Sequence, residues 1–421
     1  MRHPGYNCES YCKVAARSEL TGANNEAKNI LEVGLLHRVM VLFQQAEALH
    51  SGGVALIQIV AAALIGAIWR LVGAPLETAI LASLVIVLAS AADVALLKWL
   101  PRQRISFGPW KSQMIVLLMP RVVAGLATAA LALIVAWPLV LVALALLQAA
   151  GVLLLLWGTI VEPQRLALTH LELQIDTLPY SAGPLRLLHI SDIHLERLSG
   201  RENKLLDLVR QARPDMIVIT GDYLNLSYNC DETALQQVAQ LLGQLEAQYG
   251  IFATLGSPPV DLRQVIVPVL QSLPLRLLRD EWTTVDLKTG GSLVLMGLDC
   301  SHHLDQDSQR LAEVAATAPN GAPRMLLYHS PELMPQASRH NVDLYLCGHT
   351  HGGQVRLPLI GPILTSSQLG RRYIMGHYRE GSTHLYVSRG VGMEGLSAPR
   401  VRLLAPPEIT LVTLHGIKAD V

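Results

Sequence analysis

The sequence predicts a two-part protein in which a helical membrane region precedes an α/β domain. Long apolar runs are concentrated before residue 162 of the 421-residue chain. Short apolar strands follow them, and several of these strands end in aspartate or histidine. Stretches of about 20 apolar residues indicate membrane spans, and strands alternating with helical patterns indicate an α/β fold. We expect a polar extension over residues 1–50, a transmembrane region over 51–162 and the α/β domain over 163–421.

The composition supports a membrane region of about four helices. The chain is 51% apolar and 16% charged, with a mean hydropathy of +0.35, whereas soluble domains carry about 25% charged residues. Four apolar runs are long enough to cross a bilayer: 54–72, 79–99, 114–136 and 139–161. Pro120 and Arg121 lie inside the third run, so we expect Arg121 to reach the interface and the span to begin at Val122. Asp93 is expected to lean toward Lys98 as an anchor rather than to serve ion transport.

The distribution of positive charge predicts the orientation in the membrane. Basic residues lie in the N-terminal segment and the central loop: Lys13, Arg17, Lys28, Arg38, Lys98, Arg102, Arg104 and Lys111. Because positive loops remain on the cytoplasmic side and an even span count returns the chain to that side, the sequence predicts a multi-pass cell-membrane protein whose α/β domain faces the cytoplasm. Five cysteines without a pairing pattern agree with a reducing compartment.

Acidic and imidazole side chains follow the ends of apolar strands in the second part. The run 185–190 leads to Asp192 and His194, the run 216–220 to Asp222, and the run 324–328 to His329. A glycine-flanked segment then holds His349 and His351, which would point the same way in an extended backbone. Open α/β sheets place ligands at the carboxyl ends of their strands. A mixed set of carboxylates and imidazoles predicts a pair of Mn, Fe, Zn or similar ions.

The order Asp-x-His, Gly-Asp, single His and Gly-His-x-His resembles that of the calcineurin-like metallophosphoesterases. Residues 386–392 and 406–411 are similar to the membrane-associated bacterial branch of that family, and the resemblance covers roughly residues 180–415. It implies a four-layer α/β/β/α sandwich. By resemblance, Asp192, His194, Asp222 and His351 hold the first metal, and Asp222 bridges to a second metal held by His329 and His349. Asp222 and His349 are the residues expected to be catalytic.

The third motif departs from the family pattern. Where the family has Gly-Asn-His followed by an acidic residue, this chain reads Gly256-Ser257-Pro258-Pro259-Val260-Asp261. Pro258 supplies neither a side-chain donor nor a backbone N–H. Ser257 offers a hydroxyl as a weak metal ligand, so we expect the second ion to be loosely bound. His302 or His303 are alternative proton donors at the edge of the site, although two solvated loop histidines are the favoured interpretation.

These features predict a membrane-anchored, metal-dependent hydrolase of a phosphomonoester or phosphodiester. A lipid-linked substrate is favoured because the site is tethered at a bilayer, and Arg371 and Arg372 are candidates for contacting the phosphate. The alternative is a catalytically weakened sensor or scaffold that binds metal and a phosphate ligand. A transporter interpretation depends only on Asp93. With 33 basic and 33 acidic residues and no basic stripe, no nucleic-acid partner is expected.

Overall fold

A computed structural model describes residues 42–417 of the protein, and these form two compact units. One unit comprises residues 42–165 together with 394–403, and the other comprises 166–393 together with 404–417. The basic residues of the N-terminal segment, with Cys8 and Cys12, lie outside the described residues.

The first unit is built from four long helices. They are α1 Ser51–Leu71, α2 Leu76–Trp99, α3 Trp110–Leu131 and α4 Trp137–Leu156. Helix α1 packs against α2 and α3, and α4 packs against the same two helices. Their shared core includes Ile65, Trp69, Ile86 and Leu144, while many leucines on the outer faces are exposed. By length and composition all four helices are candidate membrane spans, which confirms the predicted helical region.

Two expectations about polar residues in this unit are wrong. Helix α3 continues through Pro120, and Arg121 is buried within the bundle instead of reaching an interface. The Arg121 guanidinium pairs with the carboxylate of Asp93, through Nε at 2.8 Å, and also donates to Gln148. Lys98 instead lies over the Trp110 ring, 4.3 Å from its centroid. Residues five apart do not share a helix face, so Asp93 points to α3 and not toward Lys98.

One cysteine expectation also fails. Cys300 and Cys347 are free and buried, but Cys230 is disulfide-bonded. The sequence spacing did not indicate this pairing, because disulfides depend on which residues meet in space.

The second unit is an α/β domain in which the described residues form two six-stranded sheets and a short hairpin. The strands are β1 Ala167–Pro179, β2 Leu185–Ile190, β3 Met216–Thr220, β4 Ile251–Thr254, β5 Arg276–Leu277, β6 Glu281–Asp286, β7 Ser292–Gly297, β8 Arg324–Leu327, β9 Leu344–Cys347, β10 Arg356–Leu357, β11 Gly361–Pro362, β12 Gly376–Glu380, β13 Thr383–Val387 and β14 Glu408–Ile417. The helices are α5 Gly200–Ala212, α6 Glu232–Leu242, α7 Arg263–Gln271, α8 Leu304–Thr317 and α9 Met334–Arg339.

The two sheets pack face to face with helices outside them. Their orders are β1-β14-β2-β3-β4-β5 and β12-β13-β9-β8-β7-β6. Side chains from both sheets, including Leu187, Val218, Leu327 and Leu346, form the apolar layer between them. A second cluster joins the first sheet to α5, α6 and α7, and a third joins the second sheet to α8 and α9. The four-layer sandwich is therefore confirmed.

Strand direction determines where the polar loops lie. Strands β2, β3 and β4 are parallel to one another, and so are β7, β8 and β9 in the other sheet. The loops that follow these strands carry the candidate ligands. Parallel strands bring such loops to one edge of a sheet.

Candidate metal centre

The structure brings the six predicted ligands together. Asp192 and His194 follow β2, Asp222 follows β3, His329 follows β8, and His349 and His351 follow β9. Their side chains form two candidate metal-binding groups, in each of which the ligand atoms lie within 4.8 Å of one another: Asp192 with His194 and His351, and Asp222 with His329 and His349. All six residues are buried.

Asp222 lies between the two groups. Its Oδ2 is 3.1 Å from His329 Nε2 and 3.5 Å from His194 Nε2. The backbone N–H of Ser257 donates to the other oxygen, Oδ1, at 2.7 Å. One carboxylate oxygen is thus fixed by the loop after β4, while the other faces a histidine of each group.

The two histidines after β9 converge by a different route from the one expected. The extended backbone inferred for this segment is wrong, because His349 and His351 have φ angles of 69° and 52° and lie in a tight turn. The turn packs on Asp192, whose carboxylate accepts the His349 N–H at 3.0 Å. A Cβ on Gly348 would lie 1.9 Å from Asp192 Oδ2, so only glycine permits this approach. The turn sends one imidazole to each group.

The orientation of the imidazoles suits divalent cations. His329 Nδ1 lies 2.7 Å from the Thr220 carbonyl, to which it donates its hydrogen, and its buried Nε2 lies 3.1 Å from Asp222 Oδ2. His349 Nε2 lies 3.3 Å from the Ser366 carbonyl, which leaves Nδ1 facing Ser257. In the other group, His194 Nε2 and His351 Nε2 are 3.1 Å apart. Such backbone hydrogen bonds fix the tautomer and turn a ring lone pair toward a metal.

Electrostatics at the centre also favour cations. Burial raises the pKa of Asp222, but the neighbouring imidazoles of His329 and His194 outweigh it and hold this pKa well below its usual range. Burial alone would lower the pKa of His329, yet the carboxylates of Asp222 and Asp192 raise it to about 9. Asp222 therefore stays ionised and attracts positive charge, which a bound metal would supply in place of a proton.

Ser257 and Asp261 of the altered third motif make different kinds of contact. The Ser257 hydroxyl lies 3.4 Å from His349 Nδ1, beside the second group. The Asp261 carboxylate instead accepts backbone N–H groups of Asp222, Tyr223 and Gly256 at 2.7 to 3.0 Å. Asp261 thus ties the loop after β3 to the loop after β4. Its oxygens are used to position Asp222, and the Ser257 side chain is what the motif contributes toward the second group.

His302 belongs to the centre, and its favoured interpretation as a solvated loop residue is wrong. It is only 7% exposed, and its Nε2 lies 3.0 Å from Ser257 Oγ. Its ring centroid is 4.6 Å from that of His349. Burial lowers the pKa of His302 to about 3. The sequence signal was the same as for the six predicted ligands, since His302 follows the apolar strand β7. His303 is half-buried and directly precedes α8.

The predicted phosphate contacts have other partners. Arg371 donates to the carbonyls of Ile360 and Pro362 at 2.9 and 2.8 Å, and Arg372 pairs with Glu380. Both arginines are exposed. Their hydrogen bonds hold neighbouring loops.

A four-layer sandwich with two histidine and aspartate groups at its strand ends is the architecture of a metallophosphoesterase, and the chain belongs to the calcineurin-like phosphoesterase family, which matches residues 185–353. The chain is 31% identical over 270 residues to the uncharacterized metallophosphoesterase YkuE of Bacillus subtilis, an alignment covering 61% of this chain and 87% of YkuE. It is 28% identical to the phosphodiesterase YaeI of Escherichia coli, with 56% and 83% covered. It is also 28% identical to a transmembrane protein with metallophosphoesterase domain from Danio rerio, with 62% and 60% covered.

Proposed function

We propose that this protein is a membrane-anchored, two-metal phosphodiesterase whose substrate is a phosphoester carrying a lipid chain. The observation that supports hydrolysis is the pair of ligand groups that meet at Asp222. Asp192, His194, Asp222 and His351 would hold the first ion, and Asp222, His329 and His349 the second. When bound, two such ions polarise a phosphoryl group and supply a nucleophilic water at neutral pH.

The chain's own residues prepare this centre. Ser257 and Asp261 fix the position of Asp222 through backbone hydrogen bonds, and the Thr220 carbonyl fixes the ring of His329. These contacts are made by buried residues, where water does not compete for them. Because the ligands are oriented before substrate arrives, little reorganisation is needed during the reaction.

An exposed apolar hairpin beside the centre supports a lipid substrate. We define it as residues 355–364, which contain β10 and β11. Five of its large aliphatic side chains are exposed, the most exposed being Leu359, Ile360 and Leu364, with Leu357 and Ile363 also exposed. Each such side chain that leaves water contributes about 1.5–3 kcal/mol. A surface of this kind marks a site of contact with an apolar partner.

The hairpin is joined to the metal centre at both ends. Pro362 lies against Gly353, two residues after His351, so closely that a Cβ on Gly353 would be 2.2 Å from Pro362 Cβ. Ser366, two residues after the hairpin, contacts His349 through its carbonyl and its hydroxyl. A lipid chain lying on the hairpin would therefore leave its phosphate near the second ligand group.

Two diesters with the same leaving group test the proposal. Full-length protein in detergent micelles with Mn²⁺ is given ethyl p-nitrophenyl phosphate or hexadecyl p-nitrophenyl phosphate. We expect kcat/KM to be higher for the hexadecyl ester. Leu359→Ser with Ile360→Ser should reduce this preference by about tenfold or more, since two exposed aliphatic side chains that the lipid chain would cover are lost. Leu404→Ser, at an exposed leucine outside the hairpin, is the matched control. Equal use of both esters by the unmodified protein contradicts a lipid substrate.

The third motif favours a second candidate function. Pro258 stands where relatives in the family carry an imidazole, so the chain also fits a sensor that binds metal and a phosphate group without turnover. Asp222→Ala separates the two functions when metal content and rate are measured together. Loss of both ions with loss of p-nitrophenol release supports the enzyme. Two bound ions in the unmodified protein, with no p-nitrophenol release from either ester, support the sensor.

A further inference from the structure

We propose that His302 is a ligand of the second metal ion, completing the group formed by Asp222, His329 and His349. The inference rests on the two-metal centre of the proposed function. It assigns to the loop after β7 the metal-ligand position that the altered third motif leaves open.

The two groups are unequal without His302. If Asp222 serves both, the first ion has four protein ligands and the second has three. Divalent ions of the Mn, Fe and Zn type take nitrogen and oxygen ligands together and accept at least four. The open position lies on the side of the second group that faces Ser257.

The His302 ring faces that position. Its Nε2 lies 3.0 Å from Ser257 Oγ, and the same oxygen lies 3.4 Å from His349 Nδ1. Its ring centroid is 4.6 Å from that of His349 and 6.4 Å from that of His329. A nitrogen of His302 and the ligand nitrogen of His349 are therefore directed at one shared space, with the Ser257 hydroxyl between them.

The loop holds His302 in this place. Gln368 Nε2 donates to the His302 carbonyl at 3.1 Å, and Cys300 Sγ lies 3.6 Å from Nδ1 and 3.8 Å from Nε2 of the ring. The preceding Ser301 is bonded to Asp307 through both its N–H and its hydroxyl. His302 also has a φ of 61°, in the same left-handed region as Asp192, His194, Asp222, His349 and His351. Side-chain-bearing residues adopt this region mainly where the surroundings impose it, often at functional sites.

Metal titration of the full-length protein tests the assignment. Metal-stripped protein in detergent is titrated with Co²⁺, and bound cobalt is followed by its visible absorption and by metal analysis after desalting. We expect two ions per chain in the unmodified protein. His302→Ala should keep the first ion and weaken the second by at least about tenfold, with a changed absorption spectrum. His303→Ala, in the same loop, is the matched control and should keep both.

A rescue variant distinguishes ligation from a structural effect. Ser257→Asn in the His302→Ala background offers an amide oxygen beside the open position, and recovery of the second ion supports the assignment. Unchanged affinity in His302→Ala overturns it, and so does equal loss in His303→Ala. If the unmodified protein binds two ions but hydrolyses neither ester, and His302→Ala loses the second ion, the proposed function is refuted while His302 is supported as a ligand. An unmodified protein that binds no Co²⁺ refutes both.

Discussion

Left-handed backbone conformations are concentrated at the candidate metal centre. Asp192, His194, Asp222, His302, His349 and His351 all have φ between 42° and 69°. Each such residue costs of order 1–3 kcal/mol and persists only where surrounding contacts impose it. Here the surrounding contacts include the Asp261 carboxylate on the Asp222 N–H and the Asp192 carboxylate on the His349 N–H. The strained backbone therefore lowers the stability of the domain, and it places these side chains where regular strand or helix geometry would not.

The absence of an imidazole at Pro258 predicts a strong dependence of rate on the leaving group. A positioned general acid accelerates a reaction by about 100- to 10,000-fold, but only when the leaving oxygen needs a proton. We expect p-nitrophenyl diesters to be cleaved and the rate to fall steeply as the leaving alcohol becomes more basic. The measurement is kcat/KM over a series of aryl and alkyl diesters. Similar rates for alkyl and aryl esters would mean that another group donates the proton.

His189 predicts how stability depends on pH. It lies in β2, with Nε2 2.8 Å from Thr220 Oγ1, and burial lowers its pKa to about 3. Its pKa in the unfolded chain is about 6.5, so the unfolded chain binds the extra proton between these values. The contribution of His189 to stability is thus complete above pH 6.5 and is lost as the pH falls toward 3.

The corresponding measurement is thermal unfolding at a series of pH values in the presence of a chelator. His189→Gln keeps a polar group for Thr220 but does not titrate. We expect its unfolding temperature to decline less between pH 6.5 and 4 than that of the unmodified protein. Parallel pH profiles for the two proteins would show that His189 is not the group responsible.

Among the helices, the contact between α2 and α3 depends on a buried ion pair. Asp93 is fully buried and Arg121 is 6% exposed, and Gln148 of α4 takes a further hydrogen from the guanidinium. In an apolar bundle a charge is tolerated when it is paired, so this cluster fixes which faces of the three helices meet. The apolar surface alone leaves the rotation of each helix weakly determined.

Substitutions at the Asp93–Arg121 pair should lower the stability of the protein more than a substitution at Lys98. We expect Asp93→Ala to cost about 3–5 kcal/mol because it leaves the Arg121 charge buried and unpaired. Asp93→Ala combined with Arg121→Met should cost less than the sum of the single changes. Lys98→Ala, which removes only the contact with Trp110, should have a small effect. Thermal unfolding in micelles is measured for the unmodified protein, for Asp93→Ala, Arg121→Met and Lys98→Ala, and for the double variant. A Lys98→Ala effect as large as that of Asp93→Ala would contradict the pairing.

For the whole molecule, the order of segments along the chain differs from their grouping in space. Residues 394–403 follow most of the α/β domain in sequence but belong to the helical unit. There the Arg402 N–H donates to the Gly158 carbonyl at 2.9 Å, and Arg400 and Arg402 are almost fully buried. The helical unit is thus completed by a segment from the far end of the chain.

We propose that the α/β domain faces the cytoplasm, as the four spans and the basic central loop favour. A phosphatase reporter that is active only outside the cytoplasm, fused after Val421, should then be inactive, while a cytoplasmic fluorescent reporter at the same position should fluoresce. The opposite result contradicts this orientation and would agree with the disulfide at Cys230.

The sequence by itself determined the four apolar helices, the strands β2, β3 and β8, and the six side chains that form the two candidate metal-binding groups. These features depend on local periodicity and on the rule that parallel strands deliver their following loops to one edge. The tertiary structure alone decided that His302 lies beside Ser257, that Asp93 pairs with Arg121, and that residues 394–403 join the helices. Each of these contacts joins residues 28 or more positions apart in the chain. Such contacts are selected by the packing of whole elements, which local pattern does not encode.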